Sequence, residues 1–219
     1  MHGTARKGSM SSKIGIIGDG NVGSALTNGL TRAGHEVQAV GKEPRKVKEI
    51  GQWADTLILA VPFGERENAL RELGDVGRKV LVDVTNALGE DMGLAVDPRQ
   101  ESGAEQLQRM AKGAKVVKAF NTVFAQHMDT GRLHGEALTA LVAADDEGAK
   151  RQVIELARAI GFDAVDAGPL QNARWLETLG LLNIRLGYGV GLGPAMGFRL
   201  VHEPAKARAE REATQRRAQ

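Results

Sequence analysis

The clearest chemical signal in the sequence is Gly18-Asp19-Gly20-Asn21-Val22-Gly23, placed directly after the apolar run Ile14 to Ile17 and directly before a helical run. Three glycines at this spacing suit an anion. The first permits a tight turn, the second lets backbone approach a pyrophosphate, and the third lets helix and strand pack closely. The anion would meet the free N–H groups and positive end of the following helix. A second apolar run, Val37 to Val40, completes a strand–helix–strand unit of about thirty residues, the context in which G-x-G-x-x-G marks a dinucleotide. Which dinucleotide is read at the end of that second strand, where an acid suits NAD and basic groups suit NADP. Here stand Gly41, Lys42, Glu43, Pro44, Arg45 and Lys46, and Lys42 and Glu43 both lie near the expected offset. The cluster Lys42, Arg45, Lys46 and Lys48 outweighs Glu43 and Glu49, which tips the reading toward NADP(H); a solvated helix start is the bland alternative.

Other chemistries find little support. With no cysteine among 219 residues, disulfides, thiolate zinc sites, thiolate-bound iron–sulfur clusters and a cysteine nucleophile are excluded. The five histidines are scattered at 2, 35, 127, 134 and 202, with no metal-ligand spacing and no nucleophile elbow nearby. His127 reads as a surface or hydrogen-bonded structural residue. Asp83 and Asn86, at a strand end, suit loop fixing better than proton transfer, since Asp and Asn bond nearby backbone readily.

The elements that must position these residues alternate. Ile14 to Ile17, Val37 to Val40, Thr56 to Val61, Val80 to Val84, Lys115 to Lys118 and Ala137 to Ala143 read as strands buried on both faces. Ser24 to Ala33, Glu65 to Leu73, Ala104 to Ala111 and Glu147 to Ile160 read as helices, the last stopped by Gly161. This order predicts an α/β fold, a Rossmann-type doubly wound parallel sheet, with a small C-terminal helical extension. Ligands of such sheets lie outside the carboxyl ends of the strands. The extension carries Trp175, Leu176, Leu179, Leu182 and Leu186 at helical spacing, a core or dimer surface. The Gly-rich run Gly187 to Gly197 suits either a punctuated loop or close approach to a flat ring.

Four segments are expected: a tag-like or disordered 1–12, a dinucleotide-binding domain 13–168, a helical part 169–204 covering the cofactor cleft, and a charged tail 205–219. The net charge is +2 with a sequence pI near 9.0. The basic excess sits at the ends, in Arg6 and Lys7 and in Lys206, Arg208, Arg211, Arg216 and Arg217 against Glu210 and Glu212, so the core between them is net acidic. No nucleic-acid partner is expected. No apolar run approaches the length of a membrane span, so a soluble, cytoplasmic protein without a membrane partner is expected.

At the strand ends the chain resembles the NADPH-dependent reductases of coenzyme F420, the F420H2:NADP oxidoreductases. The carrying segments, between Lys13 and about Leu200, are the Gly18 to Gly23 loop, Gly34-His35-Glu36-Val37, Ala60-Val61-Pro62, Asp83-Val84-Thr85-Asn86, Val117 to Thr122, Ala167 to Leu170, Asn172-Ala173-Arg174 and Leu176-Glu177. The resemblance implies a pyrophosphate at Asp19, Gly20, Asn21 and Val22, and a 2′-phosphate at Gly41, Lys42 and Lys46. It places the nicotinamide against Val61, Pro62 and Ala119, with Asn121 on the same strand end, and a deazaflavin stacked over it. Members often carry Thr or Ser where Asp19 stands and Ser where Gly41 stands, and an acid at Asp19 can repel a phosphate. The reaction implied is hydride transfer between NADP(H) and F420 or a flavin-like carrier, which needs no catalytic side chain because the cofactors supply the chemistry. A homodimer is expected. The rivals are a reductase of a small organic substrate such as a ketone or imine, a non-catalytic dinucleotide sensor, and a module akin to the cytosolic half of membrane metalloreductases.

Overall fold

Apolar residues alternate faces along each central strand, and each face acquires its own layer of helices. The computed structural model describes residues 11–203. Five strands, β1 (Lys13–Ile17), β2 (Glu36–Val40), β3 (Thr56–Leu59), β4 (Val80–Asp83) and β5 (Lys115–Lys118), pair in parallel in the order β2-β1-β3-β4-β5. On one face Ile14, Ile16, Ile58, Val82 and Val117 pack against α1 (Asn21–Arg32) and α5 (Glu147–Ile160). On the other, Ile17, Leu57, Leu59, Leu81 and Val116 pack against α2 (Pro44–Trp53), α3 (Arg66–Leu73) and α4 (Gly103–Met110). The fold is the expected doubly wound α/β sheet.

The sheet is extended by β8 (Thr139–Ala144) and β9 (Asp163–Asp166), and β8 runs antiparallel to β5. The connection explains this. Between β5 and β8 the chain makes only a short helical turn at Ala125–His127 and the hairpin β6 (Arg132–Leu133) to β7 (Glu136–Ala137), so it returns beside β5 without a crossover helix. Helix α5 restores a parallel pairing of β8 with β9. It begins at the expected Glu147, with the Asp146 side chain accepting from Ala149 N at 2.8 Å.

Three expectations need correcting. β2, expected to be buried on both faces, is the edge strand, with Gln38 and Ala39 exposed and Val37 and Val40 only half-buried. The basic stretch after β2 is not only a strand end: Pro44 opens the full helix α2, which buries Val47, Ile50 and Gly51. Nor do Trp175 and Leu176 share a stripe. In α6 (Ala173–Ile184), Leu176, Glu177, Gly180 and Asn183 face inward, whereas Trp175 and Leu182 are 63% and 48% exposed. Trp175 and Leu182 lie two turns apart on the outer face, which has no partner within the described residues. Segments 1–12 and 205–219 lie almost wholly outside those residues. No helix among them is long and apolar enough to cross a membrane.

Candidate dinucleotide site

The chain leaves β1 for β2 on one side and returns as β3 on the other, so a crevice opens where the strand order reverses. The glycine turn is built there. Gly18 N donates to Val40 O at 2.8 Å and Ala60 N to Ile17 O at 2.8 Å, binding the ends of β1, β2 and β3 together. Gly18 has φ +108°, and a Cβ there would strike the Ala60 carbonyl; a Cβ on Gly23 would strike the Gly18 carbonyl. These two glycines are required by the protein's own packing.

Gly20 is different. A Cβ on it would meet no protein atom within 4 Å, although the residue lines a cavity of about 360 Å³. No side chain caps the start of α1 at Gly20, and no acid stands in its first turn. A bare backbone bend at an uncapped helix N-terminus fits a pyrophosphate, which needs backbone approach and N–H donors. The cavity brings together Gly18, Asp19, Gly20, Gly41, Lys42, Val61 and Pro62 from the sequence-derived set. Its far wall, Glu65, Asn68, Ala69, Arg71 and Glu72, comes from α3 and the turn before it. Those residues carry no motif, and only the spatial neighbourhood of α3 and β2 identifies them.

The remaining candidates separate. Asn21 opens a second cleft of about 420 Å³ on the other flank of α1, bounded also by Ser24, Phe124, Gln126, Tyr188 and Pro194. Val22 and Gly23 lie within the first turn of α1. Arg45 and Lys46 point along their own helix, Arg45 to Glu49 at 2.9 Å and Lys46 to Glu43 at 2.8 Å. Lys42 is the basic residue of the cluster that lines the cavity, its ammonium 3.8 Å from Glu65. Ala119 is fully buried.

Asn121 lies beneath the surface, 3% exposed, donating to Leu176 O at 2.8 Å and Asn86 Oδ1 at 3.1 Å. Its direction is set by a γ-turn in which Asn121 N donates to Ala119 O at 2.9 Å across Phe120, held at φ +63°. Such strain persists only where surroundings enforce it, and here Phe120 packs on Phe162 with ring centroids 5.6 Å apart. The second Asn86–Asn121 contact, Asn86 Nδ2 to Asn121 O, measures 3.1 Å. Gly180 of α6 passes directly over this pair.

Sequence reasoning missed the buried charged cluster at the carboxyl ends of β4 and β5. Lys118 Nζ reaches Asp83 Oδ2 at 3.0 Å, Glu177 Oε1 at 3.0 Å and Thr85 O at 2.6 Å, with all three charged groups at or below 1% exposure. Glu177 also accepts from the first N–H groups of α4, Gly103 at 2.8 Å and Ala104 at 3.1 Å. Arg66 donates to Gly103 O at 2.7 Å and lies over the Phe63 ring at 3.5 Å. Burial disfavours ionised Asp83, but Lys118, Arg66 and two hydrogen bonds from Thr85 together hold its carboxyl below the usual carboxylate range. Asp83 therefore fixes the loop after β4, accepting from Thr85 N at 2.9 Å and Thr85 Oγ1 at 2.7 Å. A lysine in a strand buried on both faces demands a buried acid, and that was the available signal.

The Gly-rich run is held over the second cleft. Arg185–Gly189 forms one π-helical turn after α6, and the Tyr188 ring meets Phe124 edge-on at 5.5 Å. His127, 7% exposed, bonds Pro194 O at 3.1 Å, and so has the expected structural role. No group of metal-ligating side chains occurs among the described residues.

Comparison with known proteins agrees with this geometry. Residues 13–87 match the family model for NADP oxidoreductase, coenzyme F420-dependent. The chain is 30% identical over 164 residues to the F420-dependent NADP reductase of Methanocaldococcus jannaschii, covering 72% of this chain and 71% of that one. It is 31% identical over 182 residues to metalloreductase STEAP3 of Rattus norvegicus, covering 77% of this chain but spanning only 36% of the relative. A crystal structure from Arthrobacter sp. FB24, named for an F420-dependent NADP reductase, superposes with TM-score 0.78 at 28% identity over 88% of this chain and 100% of that one. The chain belongs to the family of F420-dependent NADP reductases, NADP-dependent oxidoreductases built on this sheet.

Proposed function

We propose that the protein transfers hydride between NADP(H), held in the crevice at Gly18 to Gly23, and a deazaflavin such as F420 or a flavin-like carrier held in the second cleft. The carrying observation is that Gly20 and Asn21 stand between two cavities, one on each flank of the α1 N-terminus. The first would take the adenosine half against Gly41, Lys42, Val61 and Pro62. The second, walled by Phe124, Tyr188 and Pro194, would take a ring. Hydride donation and acceptance are properties of the two bound cofactors. The chain's part is to hold them face to face and to exclude water, the role assigned to the helical part 169–204 over the domain 13–168.

The outer face of α6, with Trp175 and Leu182, is assigned to a homodimer contact. The similarity to metalloreductases adds ferric chelate to the acceptors worth testing. The test follows NADPH oxidation with F420, FMN, FAD, ferric chelate and a panel of ketones and imines. Turnover with F420 above all others is the expected result. Turnover confined to ketones or imines would move the protein to the small-substrate reductases, and NADPH binding without turnover would make it a sensor.

A further inference from the structure

The one acid of the phosphate-binding turn stands at the end of β2. A Cβ built on Gly41 would lie 2.7 Å from Asp19 Oδ2 and 3.1 Å from both Asp19 Oδ1 and Cγ. The carboxylate is thus seated on the bare backbone of Gly41 and fills the space where a side chain of that residue would stand. Both residues line the 360 Å³ cavity. Among the described residues no hydrogen bond or ion pair involves the Asp19 carboxylate. The nearby cation, Lys42, lies by Glu65 instead at 3.8 Å, while Lys46 and Arg45 are paired within α2.

In this fold the end of the second strand is where the adenosine ribose is read. A carboxylate there accepts the 2′-hydroxyl of NAD, and cations there take the 2′-phosphate of NADP. This chain puts both kinds of group in one cavity, the acid supplied from the first turn and not from the second strand. Two free carboxylate oxygens favour a hydroxyl donor, and a like charge at this range opposes a phosphate.

We propose that Asp19 is the residue that limits this site's selectivity for a 2′-phosphate: its carboxylate, seated on Gly41, accepts a ribose 2′-hydroxyl and opposes a 2′-phosphate, so that the chain takes NAD(H) nearly as well as NADP(H). The inference rests on the dinucleotide reading above. Lys42 supplies the attraction that keeps NADP(H) bound. Removing the Asp19 charge leaves that attraction unopposed.

The experiment measures Kd by calorimetry for NADP⁺, NAD⁺, 2′,5′-ADP and 5′-AMP with the full chain, as the native protein, Asp19→Asn and Asp19→Ser. Thermal melts without ligand check folding, which an exposed and unpartnered side chain leaves intact. The native chain is expected to bind NADP⁺ and NAD⁺ within about tenfold of each other, and both variants to raise the NADP⁺:NAD⁺ affinity ratio about tenfold or more, a like-charge contact at intermediate dielectric being large enough for that. The 2′,5′-ADP:AMP ratio is expected to rise in parallel. Ratios unchanged in both variants, or a native preference for NADP⁺ above a hundredfold, overturn the proposal while leaving the dinucleotide site standing. A native chain that binds none of the four ligands overturns the dinucleotide reading itself.

Discussion

Lys118 on β5 and Glu177 on α6 meet at 3.0 Å with both side chains sealed from solvent. The same Glu177 carboxylate terminates the α4 backbone, and Arg174, one turn earlier on α6, holds Glu105 of α4 through two bonds of 2.9 and 2.7 Å. Helix α6 is therefore fastened to the sheet's rim by charge as well as by the apolar packing of Ala173. Glu177→Ala removes one of the two acids facing Lys118 and the acceptor of the first α4 N–H groups, and breaking a buried pair costs about 3–5 kcal/mol. Urea unfolding of this variant should show a correspondingly lower midpoint. Lys118→Met with Glu177→Leu should not recover the loss, because the buried Asp83 carboxylate then loses its ammonium partner.

The glycines of the phosphate turn should separate by mechanism. Gly23→Ala places a Cβ on the Gly18 carbonyl and should lower thermal stability before any ligand is added. Gly20→Ala meets no protein atom, so its melting temperature should match the native chain while NADP⁺ affinity falls about tenfold or more. Equal dinucleotide affinity in Gly20→Ala would remove the pyrophosphate from this turn.

The basic cluster should be unequal as well. Lys42→Ala should weaken NADP⁺ binding about tenfold, within the range of one charge-assisted hydrogen bond, and flatten its salt dependence. Arg45→Ala and Lys46→Ala should change it about twofold or less, since those side chains are engaged by Glu49 and Glu43. Calorimetric titration at two salt concentrations distinguishes the three.

Acid should destabilise the fold through Asp83. Its folded-state pKa lies below the ordinary carboxylate value, so its contribution is fully present above about pH 3.9 and is lost as pH falls through the lower folded value. Asp83→Asn should lower stability at neutral pH and make the fall below about pH 4 less steep. Stability against pH, followed by circular dichroism in urea, reads both effects.

The exposed face of α6 gives a prediction about assembly. Trp175→Glu combined with Leu182→Glu should convert a dimer to a monomer in light scattering without lowering the melting temperature of the monomeric fold. A native chain that is monomeric at micromolar concentration would remove this face from the interface.

Local pattern carried a large part of this protein. The central apolar strands, the glycine turn between a strand and a helix, and the span of α5 with its Gly161 stop depend on residues near each other in the chain, so periodicity and spacing were enough to read them. The same reasoning read Asp83 and His127 as structural residues, and Asp83 indeed holds Thr85 while His127 holds the Pro194 loop. A count of basic residues against Glu43 and Glu49 did not reveal which acid each meets: Arg45 turns to Glu49 and Lys46 to Glu43. Periodicity also merged Trp175 with Leu176, since which face of α6 is inner depends on where Glu177 finds Lys118. Sequence alone determined the sheet, the turn and the class of ligand, all set by local sterics and burial. Tertiary structure alone decided the seat of the Asp19 carboxylate on Gly41, the wall from α3 and the Asp83–Lys118–Glu177 cluster, because each joins residues from separate elements and a charge is paired or free only by the neighbours that packing brings to it.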